Sequence, residues 1–570
     1  MNLPLQQLRA WCLPDGRPAP WLLTLLAIAC VYGIPAWIMP CFIEGDNDAI
    51  ADFAAHGFPV PYAGILFTSA LHWGYSLAPD YPWFAAALYC GHMLSLSLWL
   101  CLLWRVFRPL WLAVAFSLVL VLYELRMLVF LDYTSTSVML CASAMAWAFL
   151  DVIERRPGRL RPLLWGLVFM LGMLVRPQGA TGTLAFLLPA GLWVSLLALR
   201  GRAPLPELRR LALVALLFFA PALADLAADT ALRALTMTTQ QAQYDAFNSP
   251  RGRFFRLPRA AKFRLANDAQ VLDSLHWDRS DLLRVLSWTM LDERKYTPEA
   301  MQALIAAATP REVSWKQYRA ELRERTAPPD PYLLLLLAPL PLLLLAAWRR
   351  PWPAAGGLLL APWGIALVCY MSLHFAFQYR VEFPYLGVLA LTELVLTGWL
   401  AGGMEELDRA HTAAAVLCFA VACGGVLQLT RAEAEDGGVK ASHAALFTAK
   451  LQTLQDHYSG SVILAKSGNG LPFKDLSPLD EPDLDFQPIQ LGWSTFSPRF
   501  YQQIGALGVQ HAYQVADALV DRPDAYLLGP RDWATEVAGY LSDSRGVNTV
   551  TVTRFPDGTR LMRLTRKKTP

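Results

Sequence analysis

Glu44-Gly45-Asp46-Asn47-Asp48 follows directly on the first long apolar run of the chain. Three carboxylates within five residues stand where a membrane-spanning helix would leave the bilayer. Water solvates acidic residues at such an exit, and that accounts for some of them. Ionisable groups at membrane depth, however, tend to mark functional paths. The residues on either side decide how the stretch is read.

Hydrophobic residues make up 55% of the 570 and charged ones only 17%, which excludes an ordinary soluble domain and points to a polytopic membrane protein. A net charge of +3 is too small to imply a nucleic-acid partner. All nine cysteines lie in or beside apolar segments, with no CxxC pair, so no disulfide framework is expected. Arg9 and Arg17 precede the first apolar run, which lacks a small-x-small cleavage site. A retained first helix is expected rather than a cleaved signal.

A span needs about 20 apolar residues. Eleven segments qualify: 19–42, 82–104, 109–130, 134–150, 162–176, 180–199, 211–228, 331–348, 354–373, 382–401 and 411–430. Glu124, Arg126 and Asp132 interrupt the third and fourth, so a broken or partly interfacial region is expected there. Basic clusters at Arg105/Arg108, Arg155 to Arg161, Arg200 to Arg210 and Arg349/Arg350 all fall on one side of an eleven-span count. The positive-inside rule makes that side, with the N-terminus, cytoplasmic. The other side then carries the Glu44 loop, Asp132, Arg176-Pro177-Gln178-Gly179, His374 to Glu382, a loop of about 100 residues and the whole C-terminus. Its sidedness puts the C-terminal region in the extracytoplasmic space.

In the first outer loop Ile50, Phe53 and Ala54 recur at helical spacing and Gly57 can stop the helix. A short amphipathic helix at the membrane surface is expected, with Asp48 and Asp52 on one face. Asp46 would stand near its N-terminus, where the dipole favours a carboxylate and where plain capping is the alternative. The Trp/Tyr/Pro-rich stretch to Trp83 suits an interfacial belt. The loop 229–330 holds six basic and no acidic residues between Ala246 and Ala266. Arg251 and Arg253 in it can grip a phosphate bidentately, or rest on anionic headgroups. Residues 431–570 read as a small α/β domain: strands at 461–465, 488–492, 525–529, 548–555 and 560–564, a hairpin turn at Asp557-Gly558 and a helix over 533–541.

The outer-facing set is Glu44, Asp46, Asp48, Arg126, Asp132, Arg176, His374, Gln378, Tyr379, Arg380 and Glu382. Carboxylates and arginines together are what sugar transfer from a phosphate needs. A base takes the proton of the attacking hydroxyl, and cations stabilise the departing phosphate. Each residue has a plainer role: Arg176 ending a helix and snorkelling, Arg380 pairing with Glu382, His374 as an interfacial histidine, Asp132 as a cap. His56 and His72 read as surface residues. With Asp46 they show no defined metal-ligand spacing, so a divalent cation, Mg or Mn, stays open and no other cofactor is assigned.

The pattern resembles the GT-C superfamily of membrane glycosyltransferases that use polyprenyl-phosphate sugars. Asp46-Asn47-Asp48-Ala49-Ile50-Ala51-Asp52-Phe53-Ala54 looks like the Asp-Glu-x-x-x-Ala-Glu-Ile-Ala pattern of aminoarabinose and mannosyl transferases. Leu174 to Gly179 is similar to an Arg-Pro-Glu-Gly turn, and Tyr379-Arg380 to Pro384 to a turn after a later span. The resemblance covers about residues 19–430 and implies a bacterial inner-membrane enzyme, with a catalytic domain over residues 1–430 and an extracytoplasmic domain over residues 431–570. Asp46 would be the base. Asn47 departs from the pattern where many members carry a second acid, so Asp48 or Glu44 is left for that role. Arg176, Arg380, Arg251, Arg253, Tyr379 and His374 are the candidate donor-phosphate ligands. The implied partners are a polyprenyl-phosphate sugar and an envelope glycan, lipid or protein acceptor. A glycan ligase or polymerase, a flippase of a polyprenyl-linked molecule and a non-catalytic scaffold are the alternatives.

Overall fold

The computed structural model describes residues 20–33, 41–43, 47–156, 158–200, 203–257, 262, 264–265, 267–308, 315–326, 334, 336–349, 354, 356–374, 379–400, 409–466, 470–473, 476–480, 483–541 and 546–566. The chain opens with α1 (Pro20–Gly33), strand β1 (Phe42–Ile43), α2 (Asn47–Ala55) and α3 (Ile65–Leu77). Then come α4 (Trp83–Val106), α5 (Leu110–Val129), strand β2 (Phe130–Leu131), α6 (Tyr133–Ile153), α7 (Leu160–Val175), α8 (Pro177–Leu199) and α9 (Pro204–Thr236). The large loop is helical: α10 (Thr239–Phe255), α11 (Ala269–Ser274), α12 (Arg279–Leu286), α13 (Pro298–Ala308) and α14 (Trp315–Thr326). The bundle resumes with α15 (Leu340–Arg349), α16 (Leu360–His374), α17 (Tyr379–Leu400) and α18 (Arg409–Tyr458).

Each of the eleven expected spans falls on a helix, and the chain is a polytopic helical bundle with a C-terminal sheet. Among the described residues, seven helices are long and apolar enough to cross a membrane. The shorter apolar helices include α1 and α7. Burial ranks them: 94% of the apolar window of α17 and 78% of that of α6 lie inside the protein, against 22% for α9. So α6 and α17 form the centre, while α9 presents apolar surface outward, as a lipid-facing helix must. Gly172 lets α7 approach α6, since a Cβ there would collide with Cys141 and the Ser137 carbonyl. Small residues at such crossings are the usual means of close packing in membranes.

One expectation is corrected in this half. The Glu124/Arg126 region is not broken: α5 runs unbroken through it. His92 of α4 meets Glu124 (Nδ1 to Oε1 2.6 Å), and both side chains are 0% exposed. His92 Nε2 in turn lies 3.0 Å from Thr136 Oγ1 of α6. The acid is matched inside the bundle, so the helix need not open to reach water. The stretch read as an interfacial belt contains a helix, α3. Its Trp73 (68%) and Leu77 (63%) are exposed, which leaves the belt position itself intact.

Helix α18 carries the backbone without a break across the expected boundary at residue 431. It runs 50 residues, about 75 Å at 1.5 Å per residue. Its Ala-rich composition favours helix whether the flanking polarity is apolar or charged. Beyond it lie β3 (Val462–Ala465), β4 (Gln487–Gln490), α19 (Pro498–Ile504), β5 (Ala525–Gly529), α20 (Arg531–Ala538), β6 (Val547–Arg554) and β7 (Arg560–Arg566). The sheet order is β4-β3-β5-β7-β6, parallel over the first three and antiparallel at the hairpin. All five expected strands are there, shifted by two residues or fewer. At the turn Gly558 takes φ 83°, and Asp557 accepts from the Thr559 amide at 2.9 Å.

The large loop and the C-terminal sheet are not two separate soluble parts. One hydrophobic core holds Phe254, Leu282 and Met301 of the loop together with Leu464, Ile489 and Trp533 of the sheet domain. Tyr540 donates to the Thr289 carbonyl at 2.6 Å across the same junction.

Candidate functional site

Strands β1 and β2 pair in parallel, Phe42 with Phe130 and Ile43 with Leu131. The next described residues are Asp132 on one side and, past 44–46, the start of α2 on the other. The pairing therefore sets Ile43, the last described residue before the acidic segment, beside the strand that leads into α6. Glu44 and Asp46 lie outside the described residues. Asp48 lies in α2, but its side chain also falls outside them. Asp132 caps α6, its Oδ1 accepting from the Thr134 amide at 3.1 Å, so the expected capping role is present.

Arg176 sits in extended backbone (φ −156°, ψ 104°) between α7 and α8. Its guanidinium lies 4.3 Å from the Tyr133 ring centre and donates to Thr134 Oγ1. Ser137 Oγ, 3.0 Å from the Arg176 carbonyl, fixes the backbone behind it. The Nε of Arg176 is buried with no hydrogen-bond partner among the described residues. The Tyr385 hydroxyl of α17 donates to the Gln178 and Gly179 carbonyls at 3.3 and 3.4 Å, tying α17 to the same turn. Arg126 lies over Phe130 (5.3 Å) and Phe383 (5.4 Å). The turn of Arg176, the cap of Asp132 and the head of α17 thus converge at one end of the bundle. Tyr379 and Arg380 open α17, with side chains outside the described residues, and Glu382 is buried there.

One cation at this end was not anticipated. Lys440 of α18 sits 4.4 Å from the Phe130 ring centre and 5.8 Å from that of Phe42. It belongs to a stretch read as belonging to a separate domain, and only the unbroken course of α18 brings it here.

Three other candidates sit elsewhere. His374 stacks on Tyr370 (4.2 Å) and faces the Tyr370 carbonyl at 2.8 Å, in an aromatic group with Tyr318. Arg253 is exposed on the rim of a cleft with Glu299 and Gln302. Arg251 is fully buried and donates to the carbonyls of Gly492, Trp493 and Thr495 and to Asn248 Oδ1. Against the expected phosphate role, its Nη1 and Nη2 groups are taken up by backbone of the C-terminal domain and by Asn248, while its Nε has no hydrogen-bond partner among the described residues.

That same domain holds the acidic helix. Arg499 of α19 makes two hydrogen bonds to the Asp52 carboxylate, at 2.8 and 3.0 Å, and the Phe53 ring stacks on Trp493 at 4.9 Å. His56 also meets Asp52, 3.2 Å away. Burial pushes the Asp52 carboxyl up, but hydrogen bonds from His56 and Arg499 outweigh it and hold the carboxyl below its usual range. The Asp52 hydrogen bond, opposed by burial, raises His56. The lowered Asp52 contributes stability above the usual carboxylate range and loses it as pH falls through the folded value. The raised His56 contributes below the usual imidazole range and loses it as pH rises through its own. The clamp is therefore tightest between them, about pH 4 to 6.5. Asp52 is 37% exposed, so the pair with Arg499 contributes less than about 1 kcal/mol. Protection factors of the α2 amides, the observed exchange rate set against the intrinsic rate at each pH, are expected to be highest in that window and lower throughout in Arg499→Ala. Protection factors that keep rising above pH 8 would count against the assignment.

Among the described residues no group of three or more His, Cys, Asp or Glu is placed to hold a metal ion. His72 faces the Ala55 carbonyl at 3.2 Å.

Two crystal structures of ArnT from Cupriavidus metallidurans align with this chain, one bound to undecaprenyl phosphate (14% identity, TM-score 0.39) and one apo (13%, 0.41). Each alignment covers 95% of this chain and 97% of that one. A likeness at that level leaves activity to be argued from the chain's own residues. No protein-family model matches the chain, and no curated protein matches it.

Proposed function

We propose that the chain is a GT-C-type membrane glycosyltransferase. It moves a sugar from a polyprenyl phosphate to an envelope acceptor, with inversion, at the outer face of a bacterial inner membrane. The observation that carries this is the β1–β2 pairing, which brings Ile43, just ahead of the acidic segment, beside Leu131 at the bundle end that holds Asp132, Thr134 and Arg176. In the reaction the acceptor oxygen attacks the anomeric carbon and its proton passes to the Asp46 carboxylate. The bond from that carbon to the phosphate oxygen breaks, and the phosphate leaves with the electron pair. Arg176 and Arg126 stand at the bundle end to which β1 leads, and Lys440 joins them in place of Arg251. Arg380 and Tyr379, at the head of α17, remain in the proposed donor site. Cations preorganised where charge gathers supply the largest share of such catalysis. Asp48 or Glu44 serves as the second acid.

The test is transfer from radiolabelled polyprenyl-phosphate sugars in membranes holding equal amounts of wild type or Asp46→Asn. Loss of a general base is expected to cut the rate by about a hundredfold or more. An Asp46→Asn protein with undiminished transfer would move the base to Asp48 or Glu44. A wild type inert with every donor would sink the reading in favour of a flippase or scaffold.

A further inference from the structure

A cleft with room for about 430 Å³ opens beside the acidic helix, between the α2–α3 corner, the α9–α10 junction and the C-terminal domain. Phe58 and Pro59 line it from the residues just after α2. Thr68, Ser69 and His72 line it from α3, Thr238 and Gln241 from the head of α10, and Pro498 from the sheet domain. Pro498 precedes Arg499, so the clamp on Asp52 also sets the third wall.

The chemistry of the lining is selective. Its described residues include hydroxyl, amide and imidazole groups but no Lys, Arg, Asp or Glu. Charges beside the lining are already engaged: Asp245 accepts from Gln241 at 2.9 Å, Arg499 holds Asp52 at 2.8 Å, Asp229 pairs with Arg233 at 2.7 Å and accepts from the Ile65 amide at 2.6 Å, and Arg233 donates to the Ala63 carbonyl at 2.9 Å. An anionic ligand would find no counter-charge there. Gln241 is 3% exposed, and its Nε2 donates to Asp245 at 2.9 Å. Its Oε1 has no hydrogen-bond partner among the described residues. Ser69 and Gln240 expose their side chains on the wall, where a hydroxyl and an amide can exchange hydrogen bonds with the hydroxyls of a sugar. Phe58 offers an apolar wall against which the C–H face of a sugar ring can lie.

We propose that this cleft is a binding site for a neutral carbohydrate, the glycan portion of the acceptor. The role as acceptor rests on the proposed transfer reaction; the binding does not. The cleft adjoins the helix that carries the acidic segment at its other end, so a glycan seated in it would reach toward the acid. Its third wall comes from the C-terminal domain, which gives that domain a direct role in acceptor choice.

The test is saturation-transfer NMR on the full chain in lipid nanodiscs. The probes are methyl α-glucoside, methyl α-mannoside and N-acetylglucosamine, with glucuronate and glucose 6-phosphate as charged controls. Saturation transfer to at least one neutral glycoside is expected, with at least a tenfold weaker signal from both charged sugars. Ser69→Trp, at an exposed position on the cleft wall, is expected to abolish it with an unchanged melting temperature. Gln240→Trp, also exposed, gives a second block should the first variant fail to fold. No neutral probe bound, charged sugars bound equally well, or a signal that survives both blocks would each overturn the site. Because binding is read without transfer, an inert enzyme that still binds glycosides would remove the proposed reaction and leave the cleft standing.

Discussion

Arg251→Met is expected to destabilise the joint between the large loop and the C-terminal sheet by on the order of 4 kcal/mol. The side chain is fully buried and donates to three carbonyls of the 492–495 turn and to Asn248. Methionine keeps most of the volume; the Trp493 and Gly492 carbonyls keep the Tyr244 hydroxyl and the Thr495 amide as donors, but the Thr495 carbonyl and Asn248 Oδ1 lose theirs, at about 1–3 kcal/mol each. It also removes a cation lying 5.1 Å from the Phe247 ring centre and 5.3 Å from that of Trp288. Limited proteolysis in nanodiscs should release a C-terminal fragment that wild type retains, alongside a lowered melting temperature. Arg251→Lys should recover only a fraction, because a point charge cannot serve a fork of acceptors. Equal protease resistance in Arg251→Met and wild type would show that the joint is held by apolar packing alone.

His92→Leu is expected to cost about 3–5 kcal/mol, because it leaves Glu124 inside the bundle without its partner. Both side chains are 0% exposed, and the second Glu124 oxygen already lacks a hydrogen-bond partner among the described residues. Magnitude decides what kind of contact this is. An ordinary interhelical hydrogen bond in a membrane protein contributes about 0.6 kcal/mol. A loss of that size would identify a neutral contact, whereas the larger loss identifies a buried pair. The double variant His92→Leu/Glu124→Leu should regain most of the stability, since two apolar side chains need no partner. Unfolding in detergent mixtures, read by tryptophan fluorescence, gives the three values.

What the sequence made legible was local. Hydropathy located the spans, and Asp557-Gly558 with alternating flanks located the β6–β7 hairpin, because both signals are written in neighbouring residues. The helix over Asn47–Ala55 followed from Ile50, Phe53 and Ala54 for the same reason. The misses are pairings across the chain. Arg251 read as a phosphate ligand because its neighbours are basic; its true partners lie more than 240 residues on. Lys440 drew no reading because polarity changes near residue 431 and the stretch after it reads as a separate domain, yet an α-helix continues through a polarity change whenever backbone and propensity allow. Glu124 suggested a broken span because His92, 32 residues away, leaves no local trace of the match.

The Asp52–Arg499 contact joins residues 447 apart in sequence. At roughly 5–20 residues per second of synthesis, the acidic helix waits on the order of half a minute or more for the arginine to be made. Every span has left the ribosome before then. A chain cut short ahead of Trp493 could therefore insert its whole bundle and still carry the acidic helix without its clamp. Completion of the last stretch of polypeptide, rather than insertion, is the event that finishes this end of the molecule.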